Sequence, residues 1–158
     1  MSLFEDDRYR WRETYFVLFR ESNRPLAKAV EQTLKELGGR YEIAELKADE
    51  QARFESLTLH SPYDYAAMDI AYLAGDDVRA HVDEIMKELK ESSLTKLEKA
   101  KLKQLEECDA RFDIYHFEQL VDEEEDEYLD PGALLIVLER LAKLANGVGI
   151  DPQSGALM

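Results

Sequence analysis

Asp130–Ile150, DPGALLIVLERLAKLANGVGI, constrains this chain more than any other stretch. Asp130 suits a helix N-cap, its carboxylate free to accept from orphan backbone N–H groups, and at Pro131 a missing N–H costs nothing. Leu134, Leu135, Ile136, Val137 and Leu138 run without a polar break. Leu141, Leu144 and Ala145 continue at helical spacing, and Glu139, Arg140 and Lys143 mark the wet side. A helix this apolar is expected to be buried on most of its circumference. Asn146-Gly147 is the expected left-handed stop, and Val148-Gly149-Ile150 then reads as a short strand. The stretch is core, and it carries no chemistry of its own.

The elements before it follow from periodicity. Thr14–Phe19 is aromatic and β-branched, a central strand. Ser22 or Asn23 is expected to cap a helix with Pro25 in its first turn and Leu26, Val30, Leu34 and Leu37 as its apolar stripe, stopped by Gly38-Gly39. Tyr41–Leu46 resumes as a strand, so residues 14–46 read as a β-α-β unit with a right-handed crossover. Phe54–His60 and Met68–Ala74 are further strands, parted by Ser61-Pro62-Tyr63-Asp64. Val78, Val82, Ile85 and Leu89 mark a second helix, and Thr95 with Glu98 forms a capping box for a third, striped by Leu94, Leu97, Leu102 and Leu105. In the strand Phe112–Gln119, Phe112, Ile114 and His116 share one face, and Asp113, Tyr115 and Phe117 share the other.

This irregular alternation implies an α+β class: a largely antiparallel sheet with helices packed mainly on one face. The order β-α-β-β(-β)-α resembles the ferredoxin-like plan, with an extra helix at 94–107 and a terminal β-hairpin made by Val148–Ile150 and Ala156-Leu157-Met158. At 158 residues, one domain covers 1–158, with an irregular N-terminal segment at 1–12 and a mobile acidic loop at 121–129.

Charge narrows the partners. Lys and Arg number 20 against 35 Asp and Glu, a net charge of −15. Residues 106–130 hold twelve acids with Arg111 as their lone cation. Such a surface disfavours nucleic acid and anionic membranes, whose phosphates require cations, and leaves a basic protein as a possible partner. Arg8, Arg10 and Arg12 alternate with Tyr9 and Trp11, as a base-stacking segment would, but Glu5, Asp6, Asp7 and Glu13 make it a self-neutralised edge. No apolar run approaches the roughly 18 residues of a membrane helix, and acids precede any apolar run at the N-terminus, unlike a secretory signal. With Cys108 as the single cysteine, a reducing cytoplasm is the expected compartment.

Strong catalytic patterns are missing. Possible metal ligands are His60 with Asp64, His81, Cys108 with Asp109, and Asp113 with His116, without a Cys-x-x-Cys or His-x-x-x-His pair, so neither metal nor cofactor is expected. Cys108 follows Glu106 and Glu107 at a helix C-terminus, where negative charge and the dipole both raise a thiol pKa, the reverse of activation. The glycine pairs close helices rather than opening them, which argues against a nucleotide site. The most unusual local chemistry is His60-Ser61-Pro62-Tyr63-Asp64-Tyr65, a turn bearing imidazole, hydroxyl, carboxylate and two phenols. His60, Tyr63, Asp64 and Tyr65, joined by His116, are therefore the candidate ligand-binding residues. The expected function is a soluble interaction or small-ligand-binding module that self-associates as a homodimer and has no catalysis of its own. One alternative is an enzyme, such as a metal-dependent hydrolase, whose site joins the 60–65 turn to His116 and neighbouring acids. Another is an acidic partner of a basic protein through residues 106–130.

Overall fold

A computed structural model describes residues 9–38, 41–61, 66–90, 95–119 and 131–151. The elements run β1 (Tyr9–Phe19), a 3-10 turn (Glu21–Asn23), α1 (Ala27–Lys35), β2 (Glu42–Ala48), β3 (Phe54–Ser61), β4 (Ala66–Ala74), α2 (Asp76–Lys90), α3 (Lys96–Leu105), β5 (Ala110–Gln119), α4 (Pro131–Leu144) and β6 (Val148–Ile150). The class is α+β. One six-stranded sheet has the order β2-β3-β4-β5-β1-β6, and every neighbouring pair is antiparallel.

Helices cover both faces of this sheet, not mainly one. Tyr15, Val17 and Phe19 of β1, Leu57 and Leu59 of β3, Met68 and Ile70 of β4, and Phe112 and Ile114 of β5 form one core with α1 and α4. Leu18 packs on the opposite face with Val78 and Val82 of α2, Leu105 of α3, and Val148 and Ile150 of β6. The cause lies in β1: Tyr15–Phe19 is apolar at consecutive positions, so both of its faces need cover. Phe112 anchors the first core, with its ring centroid 4.5 Å from Phe19 and 5.6 Å from Phe54. The β1-α1-β2 unit also differs from a split β-α-β: β1 and β2 run the same way with β3, β4 and β5 between them.

Several local expectations shift. Residues 9–12 are not irregular, because β1 begins at Tyr9 and pairs with β5 from Tyr9↔Gln119 onward. That alternation splits the N-terminal pattern: Arg10 and Arg12 both pair with Glu118, while Trp11 lies across from Phe117 on the other face. Helix α1 starts at Ala27, with Leu26 as an exposed N-cap lacking a side-chain cap, so Ser22, Asn23 and Pro25 precede it. Leu97 is exposed on α3, whereas the Thr95–Glu98 capping box is formed.

In α4, Leu134, Val137, Leu138, Leu141, Ala142 and Ala145 are buried at i, i+3, i+4, i+7, i+8 and i+11. Ile136 stays exposed, so burial is a stripe and not most of the circumference. The helix ends as a Schellman motif: Asn146 has φ +51°, its N–H reaches Lys143 O, and Gly147 N–H reaches Ala142 O at 2.7 Å. A Cβ on Gly147 would overlap the Leu18 carbonyl oxygen and lie 2.9 Å from the Phe19 Cβ, so only glycine passes this close to β1. Asp130, the acidic loop at 121–129 and the second arm of the C-terminal hairpin lie outside the described residues. Among the described residues, no helix is long and apolar enough to cross a membrane.

Candidate functional site

Tyr63, Asp64 and Tyr65 lie outside the described residues. The register then separates the two remaining candidates. His60 pairs with Ala67, which pairs with Phe117; Leu59 pairs with Met68, which pairs with His116. Paired residues share a face and successive residues alternate, so His60 and His116 point to opposite sides of the sheet. His60 Nδ1 lies 3.3 Å from the Tyr9 hydroxyl. His116 is buried, and its Nδ1 lies 3.2 Å from Glu13 Oε1. Burial drives the His116 pKa below the usual imidazole value, with the Glu13 carboxylate opposing, so the neutral ring donates Nδ1–H to Glu13. The fold therefore does not bring His60 and His116 into one shell.

Polar side chains do converge on the α2 side. A row Thr58, Asp69, Tyr115, Thr14 crosses four strands there in direct register. Thr58 Oγ1 donates to Asp69 Oδ1 at 2.7 Å. Next to this row a cleft of about 740 Å³ opens between α2 and the sheet. Asp77, Ala80, His81 and Glu84 wall it from α2, at i, i+3, i+4 and i+7 on one side of the helix. Arg111, Asp113 and Tyr115 come from β5, alternate residues on a single face, and Thr14 and Phe16 from β1.

At its base is a buried ion pair. The side chains of Arg111 and Asp113 are 16% and 5% exposed. Arg111 Nη2 lies 3.3 Å from Asp113 Oδ2, and the guanidinium carbon stands 5.1 Å from the Phe16 ring centroid. Arg111 Nε and Asp113 Oδ1 approach to 2.5 Å, yet the N–H direction misses the oxygen and neither atom has a directed hydrogen bond. This is a Coulombic contact between groups two residues apart on one strand, held close by the pleat. Tyr115 donates to Asp113 Oδ2 at a long 3.3 Å.

His81 completes the cluster. Its Nδ1 lies 3.0 Å from Arg111 Nη1, and its ring meets Phe16 edge-on at 4.7 Å. Arginine has only donors, so Nδ1 must accept and the proton resides on Nε2. Burial first, and the Arg111 charge second, push the His81 pKa below its ordinary value, which keeps the ring neutral at pH 7. Burial and the neighbouring Asp113 raise the Tyr115 pKa, so its phenol remains a donor. Arg111 and Asp113 offset each other, and Asp77 and Glu84 leave the cleft at a net charge of −2.

Two other polar groupings among the described residues are paired internally. Arg24 donates twice to the Phe54 carbonyl at 2.9 and 2.8 Å and stacks 3.7 Å over the Tyr72 ring. Tyr72 donates to Glu21, and burial followed by that carboxylate pushes its pKa up to about 12. This cluster ties the segment before α1 to β3 and β4. A second cavity, of about 630 Å³, adjoins α3, but there Arg20 pairs with Glu107 and Gln104 donates to Asn146 O. Cys108 beside it is buried, and burial drives its thiol pKa up to about 11. No three His, Cys, Asp or Glu side chains among the described residues are grouped to hold a metal ion.

Sequence reasoning missed the α2–β5 cleft. It placed Asp113 and Tyr115 on one face of their strand and named His81 only as a possible metal ligand. The available signal was Arg111 and Asp113 at i and i+2 in a strand whose other face opens with apolar Ala110, Phe112 and Ile114, a charge pair on the inner surface of a central strand. Comparison of the chain with protein-family models, with curated proteins and with solved structures finds no match.

Proposed function

We propose that this protein is a non-catalytic module that binds a small polar ligand in the cleft between α2 and strands β1 and β5. The observation that carries the reading is the buried Arg111–Asp113 pair at the base of an open cleft. Burying two charges costs several kcal/mol per ion before their attraction is counted, roughly, and an apolar pair of the same volume would serve folding at least as well. A charged floor under a cleft is instead suited to recognition.

The protonation states favour binding over chemistry. His81 offers its lone pair to Arg111 and not to a substrate, Tyr115 stays protonated, and Arg111 is held by His81 and Asp113. None of the three is poised as a base or nucleophile. Self-association as a homodimer belongs to the same proposal. The β2 edge is bulged around Glu45, which has φ +51°, and carries Glu42, Glu45 and Lys47, features that discourage strand-to-strand pairing.

A protein-observed NMR screen with polar fragments of about 15 or fewer heavy atoms tests the reading. Shifts of hits should cluster on the amides of 77–84 and 111–115. Hits that cluster elsewhere, or a screen without hits, would overturn it.

A further inference from the structure

Resting on the reading of the cleft as a binding site, we propose that its ligand is an organic cation, an ammonium or guanidinium group on an aliphatic stem. Charge points this way first. Asp77 and Glu84 are exposed on the cleft side of α2 and make no ion pair among the described residues. An anion approaching Arg111 would meet these two carboxylates, Asp113, and the field of a chain with a net charge of −15. Both guanidinium Nη atoms are already directed at His81 or Asp113.

The floor and the rim add independent observations. Asp113 is 3% exposed, lines the cleft, and has an Oδ1 without a directed hydrogen bond. The rim is aromatic. Trp11 is 48% exposed, and its Nε1 donates at 3.1 Å to Thr14, which lines the cleft beside Tyr115 and Phe16. The exposed indole face of Trp11 attracts cations and gives anions nothing.

Spacing favours a ligand with two positive ends. Asp77 and Glu84 are seven residues apart, a helical rise of about 10.5 Å. A four-carbon diamine or guanidino-amine, charged ends about 6 Å apart with a contact of about 2.8 Å at each, reaches both.

The test is an NMR titration of the ¹⁵N-labelled full chain at pH 7 and low salt with agmatine, glutarate as an anion of similar length, and the peptide acetyl-Gly-Arg-Gly-amide. Agmatine is expected to shift the amides of 77–84 and 111–115 saturably and to weaken on addition of salt, and glutarate to leave them unmoved. The Asp77→Asn/Glu84→Gln variant, altered only at exposed positions, should bind agmatine about tenfold more weakly. Glu84→Gln alone serves if the double variant loses the dispersion of a folded spectrum. Tighter binding of the peptide would identify a basic side chain of a partner as the source of the cation; tighter binding of agmatine, a free amine. Glutarate shifting these amides while agmatine does not would overturn the cation assignment and leave the binding site standing. Unchanged agmatine affinity in the variants would also overturn the assignment. Silence from all three probes would overturn both.

Discussion

Replacing Arg111 with methionine isolates the buried pair. In the parent the Asp113 carboxylate, 5% exposed, is balanced by a guanidinium at 2.5 and 3.3 Å. Methionine fills most of the volume and removes the charge, leaving Asp113 with the Tyr115 hydroxyl at 3.3 Å as its side-chain donor on that face. His81 loses the donor to its Nδ1 at the same time. Removing one partner of a buried pair costs about 3–5 kcal/mol, and the partial exposure of Arg111 sets the expectation at about 3 kcal/mol. For a chain of this size that is a fall of roughly 6–12 °C in Tm. The Arg111→Met/Asp113→Leu double variant removes both charges and should return to within about 1 kcal/mol of the parent. Urea unfolding followed by circular dichroism measures all three proteins. A single variant within about 0.5 kcal/mol of the parent, or a double variant less stable than the single one, would refute the reasoning.

Three other perturbations test separate parts of the structure. Burial holds His81 and His116 below the ordinary imidazole pKa, so the unfolded chain takes up their protons first; their contribution is full above about pH 6.5 and is lost as pH falls through the folded values. The slope of stability between pH 7 and pH 5 should therefore change in His116→Gln toward less loss on acidification, and an unchanged slope would contradict it. Cys108, buried with its thiol pKa near 11, should react with Ellman's reagent only on unfolding; rapid labelling of the native chain would show the packing against α3 to be wrong. Gly147→Ala should cost about 2–4 kcal/mol through overlap with the β1 backbone, while Asn146→Gly stays within about 0.5 kcal/mol; comparable losses at both positions would contradict the tight turn.

Much of the scaffold was legible because hydrophobic periodicity reports burial. The strands from 54, 68 and 112, the α2 stripe of Val78 and Val82, the Thr95–Glu98 box and the Asn146 stop all stand where the residue pattern put them. Starts were less legible. Proline and the Ser22-Asn23 pair suggested an early helix, but the 3-10 turn and the Arg24 contacts to Phe54 and Tyr72 hold that segment out of α1. Which face a helix covers was not legible either, since a stripe shows that a helix packs and not on what. The site escaped for a related reason. His60 and the 60–65 turn drew notice through unusual local composition, whereas the cleft is assembled by the fold from Thr14, His81 and the Arg111–Asp113 pair, three places far apart in sequence.

The most direct test of the central claim is a crystal structure of the protein purified at low salt and soaked with agmatine. The expected result is an open cleft between α2 and β5, with the ligand's charged ends at Asp77 and Glu84 and the Arg111–Asp113 pair beneath it. An α2 packed down on Arg111 with no space between them, or agmatine bound only away from the cleft, would contradict the claim.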